Sequence, residues 1–142
     1  MSDIFLPDIN KSSIAVIGLG YVGLPLAVEF AKKTIDYPKN KFRKVIGFDI
    51  NKKRINDLKN QVDVTNEIKT NTFNEAKGLV FSNEPVFIND ADIFIITVPT
   101  PITSDNNPDL QPLINSTKTV AEALISRKNR CKPIIILSLI HI

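Results

Sequence analysis

Cysteine and histidine each occur once in the 142 residues. One cysteine, Cys131, excludes an intrachain disulfide and a protein-only cysteine cluster for a metal. One histidine, His141, second from the end, leaves no histidine-rich metal site and is poorly placed for a Ser-His-Asp triad. Excess charge is also scarce: 18 Lys+Arg against 15 Asp+Glu give a net +3. The lysines are scattered, with short clusters at 39–44 and 52–54, which reads as a solvated surface and excludes a strong nucleic-acid face. No apolar run reaches the roughly 18–20 residues of a membrane span. Residues 1–13 contain Asp3 and Asp8 and no basic start, so they do not read as a secretory signal, and the expected location is the cytoplasm.

What remains is ordinary for a globular chain. Hydrophobic residues make up 43% and charged residues 23%, and the mean hydropathy is +0.01. The length suits one domain, able to bury about 68–70% of its unfolded surface. Short apolar runs alternate with amphipathic stretches. Strands are predicted at 14–17, 44–49, 79–82, 93–98 and 134–137. Helices are predicted at 22–33, with Leu26, Phe30 and Val22 inward; at 52–60, capped by Asn51; at 71–77; and at 110–126. The last has Asp109 as its cap and Leu113, Val120, Ala121 and Leu124 inward. Segment 34–41 reads as a loop. The alternation predicts an α/β chain, a Rossmann-like doubly wound sheet of about five mainly parallel strands.

Three of the five glycines fall in one segment, Gly18-Leu19-Gly20-Tyr21-Val22-Gly23. This is G-x-G-x-x-G between a predicted strand and a predicted helix. In a dinucleotide site Gly18 permits the tight turn, Gly20 lets backbone approach a pyrophosphate, and Gly23 lets the helix pack on the strand. The helix start offers free N–H groups to phosphate. Asp49, closing the second strand, is placed to accept hydroxyls of an adenine ribose and to oppose a 2′-phosphate, which points to NAD over NADP. It lies 26 residues beyond Gly23, against roughly 20 expected, the excess fitting a longer 34–41 loop. Other readings stay open here: a plain tight turn, or FAD or S-adenosylmethionine on a similar loop; a helix cap for Asp49; a solvated helix residue for Arg54; a simple strand terminator for 97–101.

Three segments together resemble one family. They are Ile14 to Phe30, IAVIGLGYVGLPLAVEF; Val45 to Ile55, VIGFDINKKRI; and Ile95 to Ile102, IITVPTPI, followed by Asn107-Pro108-Asp109-Leu110. The pattern is similar to the N-terminal part of the UDP-glucose/GDP-mannose dehydrogenases. It is nearest in flavour to the UDP-N-acetylhexosamine 6-dehydrogenases of capsule, Vi and O-antigen synthesis, an impression strengthened by Val62 to Glu67, VDVTNE. The resemblance implies NAD as cofactor, with backbone contacts from Tyr21 and Val22, Asp49 at the ribose, Arg54 beside it, and Thr100 on the cofactor. It also implies a parent enzyme that oxidises a sugar C6 alcohol to a carboxylate in two NAD-dependent steps. The family's catalytic cysteine, lysine and asparagine belong to later segments, as do the sugar-binding domain and the central domain through which members pair. No catalytic residue, metal site or membrane contact is therefore expected in these residues. The expected division is an N-terminal extension at 1–12, an incomplete NAD-binding domain at 13–137 and an aberrant tail at 138–142. The tail stands where the family has Glu-Ser-Thr, so the chain reads as a truncated, inactive piece, with UDP-sugar a partner only of the parent. A non-catalytic dinucleotide-binding remnant, or another NAD(P) dehydrogenase, is the alternative.

Overall fold

Ile14–Ile17, apolar at every position, forms the central strand β1 and is buried along its length. A strand covered on both faces needs no alternation of polar and apolar residues. In the computed structural model, which describes residues 5–8, 10–32, 42–128 and 131–137, β1 is followed by α1 (Gly23–Ala31), β2 (Val45–Phe48), α2 (Lys52–Lys59), α3 (Thr70–Phe73) and β3 (Leu79–Ser82). A 3-10 turn at Pro85–Ile88, β4 (Ile93–Ile96), α4 (Gln111–Ser126) and β5 (Ile134–Leu137) complete the order. The five strands form one sheet in the order β3-β2-β1-β4-β5. Every pairing is parallel, with Ile17 opposite both Phe48 and Ile96. The strand order reverses between β1 and β4, so their carboxyl ends open a crevice of the kind that binds ligands in doubly wound sheets.

One face of the sheet packs Ile14, Val16, Val45 and Ile95 against α1 and α2 residues, including Leu24, Ala27, Val28 and Leu58. The other packs Ala15, Ile17, Phe48, Phe94 and Ile96 against Ile88 of the 3-10 turn and Val120 and Ala123 of α4. Asn51 caps α2 as predicted: its side chain accepts from the Arg54 N–H at 3.1 Å.

Several predicted details shift. The inward face of α1 is Gly23, Leu24, Ala27, Val28 and Ala31, while Leu26 and Phe30 pack at its margin. The helix is apolar almost all round, so periodicity alone does not choose a face; close approach to the sheet selects the small residues. On α4 the buried positions are Ser116, Val120 and Ala123, and Ala121 faces out. Asp109 sits one residue outside the assigned cap, Leu110, yet its Oδ1 still accepts from the Gln111 N–H at 2.8 Å. Segment 84–90 holds the 3-10 turn. The predicted 34–41 loop and the 138–142 tail with His141 lie outside the described residues.

At the amino ends of the strands, Asp92 accepts from the Ser13 N–H at 2.8 Å and from Arg127 Nη2 at 3.1 Å. This buried pair anchors the end of α4 to the start of β4, at the edge of the sheet opposite the crevice. No helix among the described residues is long and apolar enough to cross a membrane.

Candidate functional site

The crevice at the carboxyl ends of β1, β2 and β4 is an open cavity of about 560 Å³. That volume lies within the roughly 300–1,000 Å³ usual for small-molecule sites. Three groups of residues line it: Gly18, Leu19 and Gly20 after β1; Asp49, Asn51 and Arg54 after β2; Thr97, Val98 and Pro99 after β4. The fourth wall is the start of α4, with Gln111, Asn115 and Thr119.

The glycine loop is shaped by contact as much as by torsion. Gly18 has φ +95°, a left-handed value that side chains rarely adopt, and a Cβ there would lie 3.1 Å from the Thr97 carbonyl oxygen. A Cβ on Gly23 would stand 1.8 Å from the Gly18 carbonyl oxygen and 2.4 Å from Thr97 Oγ1. Thr97 Oγ1 donates within this junction, lying 2.8 Å from the Gly18 oxygen and 3.1 Å from that of Ile17. A Cβ on Gly20, by contrast, would meet nothing within 4 Å. The open space is on the cavity side, where a ligand would come close to backbone. The N-terminus of α1 has no side-chain cap and no acidic residue in its first turn, so its N–H groups and partial positive charge stay available for an anion.

Asp49 faces the cavity with both oxygens anchored. Oδ2 accepts from the Leu19 N–H and Oδ1 from the Asn51 N–H, each at 2.9 Å. A carboxylate accepts about four hydrogen bonds, so lone pairs remain for hydroxyl donors. This donor-free, negative group beside an anion-accepting helix start fits a diol at one point and phosphates at another. The side-chain cap of α2 comes from Asn51, not from Asp49.

Arg54 is buried, not the solvated helix residue that its sequence position allowed. Its Nε donates to the Leu19 carbonyl at 2.9 Å, Nη1 to Asp63 Oδ1 at 2.8 Å and Nη2 to Thr65 Oγ1 at 3.2 Å. Asp63 is the hub of the 62–68 turn: it also accepts from the Thr65 N–H and hydroxyl and from the Glu67 and Ile68 N–H groups. Burial pushes its carboxyl up, but the hydrogen bonds from Thr65, Arg54 and the backbone outweigh that and hold it at about 2. A depressed value means that stability gained from the ionised form is present above the ordinary 3.8 and lost as pH falls towards 2. Urea unfolding at pH 7, 4.5 and 2.5 is expected to show Asp63→Asn costing nearly the same at the first two and clearly less at the last, where the unfolded chain is already protonated and the native carboxylate begins to be. An equal cost at all three would contradict the ionised pair.

The remaining candidates are more dispersed. Tyr21 is exposed and Val22 half-buried at the entrance to α1. Thr100 is half-buried in the turn after β4, outside the residues that line the cavity. Residues not singled out in the sequence also belong to the site. Thr97 locks the turn, and Gln111, Asn115 and Thr119 form a polar edge on α4. Their spacing of four is the signal that one helix face is polar beneath an apolar one.

An α/β chain with this strand order, a glycine turn into an uncapped helix and an acidic residue closing β2 is a dinucleotide-binding domain of the Rossmann type. Comparison with known proteins narrows the class. Residues 12–140 match the UDP-glucose/GDP-mannose dehydrogenase family, NAD binding domain, and the chain belongs to that family. It is 50% identical over 116 residues to a UDP-N-acetyl-D-glucosamine 6-dehydrogenase of Salmonella typhi, covering 82% of this chain and 25% of that protein. It is 45% identical over 112 residues to protein CapL of Staphylococcus aureus, covering 79% and 24%. Among solved structures, a UDP-D-ManNAc dehydrogenase from Pyrococcus horikoshii superposes with a TM-score of 0.71 at 30% identity, covering 89% of this chain and 28% of that one. The chain thus spans about a quarter of the length of the relatives it matches, the NAD-binding quarter.

Proposed function

We propose that these residues are the NAD platform of a cytoplasmic nucleotide-sugar 6-dehydrogenase acting on a UDP-N-acetylhexosamine for surface polysaccharide synthesis. The observation that carries this reading is the 50% identity with the Salmonella typhi UDP-N-acetyl-D-glucosamine 6-dehydrogenase across the whole matched segment. NAD, when bound, would accept hydride from the sugar carbon. The chain's own part is to bind and orient. The 18–23 segment and the start of α1 would receive the pyrophosphate through Gly20, Tyr21 and Val22 N–H groups. Asp49 would accept the adenine-ribose hydroxyls and oppose the doubly charged 2′-phosphate of NADP. Gln111, Asn115 and Thr119 would flank the rest of the cofactor, with Thr100 nearby at the β4 turn. Arg54 would support this arrangement from beside the ribose site.

On this reading the family's catalytic cysteine, lysine and asparagine belong to segments other than the NAD-binding part, so the purified 142-residue chain is expected to bind NAD and to produce no NADH from UDP-N-acetylglucosamine or UDP-N-acetylgalactosamine. A chimera tests the assignment. Residues 12–137 replace the corresponding segment of the Salmonella typhi enzyme, and NADH formation from UDP-N-acetylglucosamine is followed by absorbance. Activity within about tenfold of the parent is expected, since tenfold is only ~1.4 kcal/mol of transition-state stabilisation. A folded chimera that binds NAD but reduces none of it would overturn the assignment.

A further inference from the structure

Leu19, in the middle of the glycine loop, is gripped at three points. Its side chain is fully buried in the core. Its N–H is held by Asp49 and its carbonyl by Arg54 Nε, both at 2.9 Å. The peptide linking Leu19 to Gly20 is trans, so its C=O and N–H point to opposite sides of one plane. With the carbonyl turned to Arg54, the Gly20 N–H is turned away from it. Rotating this plane would swap an N–H for a carbonyl oxygen on a given side, and beside phosphate that swap replaces attraction with repulsion. Gly20 resists such a rotation poorly: it has no Cβ, and the position a Cβ would take has nothing within 4 Å of it. The orientation therefore depends on the hold from Arg54.

Arg54 depends in turn on the 62–68 turn. Asp63 and Thr65 take its two terminal nitrogens. The Asp63 side chain is 1% exposed, and Asp63 is not among the residues that line the cavity. It therefore has no route to a ligand of its own. Four further donors from Thr65, Glu67 and Ile68 keep its carboxylate aimed at the guanidinium.

We propose that Asp63, acting through Arg54, is a positioning residue that locks the Leu19–Gly20 peptide in the orientation that receives the cofactor's pyrophosphate. The proposal rests on the reading of the site as an NAD platform. It makes the 62–68 turn a working part of a cofactor site that it does not touch, and it separates Arg54's hold on the loop from any direct contact with the ligand.

Asp63 gives the cleaner test, because Arg54 itself lines the cavity. NAD, ADP and adenosine are titrated into the full chain by NMR and calorimetry for the unchanged protein, Asp63→Asn, Asp63→Glu and Thr65→Val. Asp63→Asn is expected to weaken NAD and ADP about tenfold, the effect of one charge-assisted hydrogen bond, and adenosine less than twofold. Asp63→Glu, which keeps the charge, is expected to recover part of the loss. Thr65→Val removes one acceptor of Arg54 and is expected to weaken ADP severalfold; it decides the matter if Asp63→Asn does not fold. Unchanged ADP affinity in the folded variants would overturn the proposal. So would equal losses for ADP and adenosine, which would mark a general loosening. Failure of the unchanged chain to bind NAD would instead overturn the underlying reading of the site.

Discussion

A Gly20→Ala chain is expected to melt as the unchanged chain does and to lose most of its affinity for NAD, while Gly23→Ala is expected to fail at folding itself. The two glycines are three residues apart in one motif, yet their surroundings are opposite. A Cβ on Gly20 enters space with nothing within 4 Å, so no protein atom must move. The same methyl group occupies the side on which backbone would approach pyrophosphate. Losing one or two charge-assisted hydrogen bonds there, at about 1.5–3 kcal/mol each, weakens binding by at least roughly tenfold. A Cβ on Gly23 would lie 1.8 Å from the Gly18 carbonyl oxygen. The neighbour is backbone, and it belongs to the turn that Thr97 ties down, so relief requires α1 to move off β1. Overpacking of this kind costs about 3 kcal/mol or more, a large share of the ~5–15 kcal/mol that keeps a domain folded. Thermal melts by circular dichroism and calorimetric titration separate the cases. Loss of stability in Gly20→Ala with retained NAD binding would contradict this account of the loop.

Asp49→Asn is expected to weaken NAD by about tenfold and to cut the preference for NAD over NADP by about 10–100-fold. The amide keeps one carbonyl acceptor for Leu19 or Asn51, so the loop is not stripped of both anchors. What disappears is the negative charge that strengthens a bond to ribose hydroxyls and repels a 2′-phosphate, worth about 1.5–3 kcal/mol. Asp49→Ala would do more damage, because it leaves the Leu19 and Asn51 N–H groups without their acceptor. Its loss of NAD affinity should then come with a loss of stability of about 1–3 kcal/mol. Unaltered discrimination in Asp49→Asn would remove Asp49 from the ribose site.

Local signals in the sequence carry most of the fold. Ile14–Ile17, Ile93–Ile96 and Ile134–Leu137 are continuous apolar runs, and all three are strands. The glycine spacing located the β1–α1 turn, and Asp49 followed from the end of the next strand. Signals that depend on distant partners were not legible. Arg54 read equally well as a solvated residue, because its partners are Leu19, 35 positions earlier, and Asp63, nine positions later. Nothing in a helix of mostly polar residues announces that one guanidinium will be buried. The inward face of α1 is hidden from periodicity for a different reason: nearly every residue is apolar, and the sheet prefers Gly23, Ala27 and Ala31 because small side chains let the helix come close. Ala121 illustrates the same limit on α4, where an alanine fits either side of the helix and packing chose Ala123.

The most direct measurement is a calorimetric titration of the unmodified chain with NAD and, separately, with NADP. Saturable one-to-one binding of NAD is expected, with NADP bound at least tenfold more weakly, since Asp49 would meet the 2′-phosphate with its carboxylate. A folded chain that binds neither nucleotide, or binds NADP as tightly as NAD, would contradict this reading of the site.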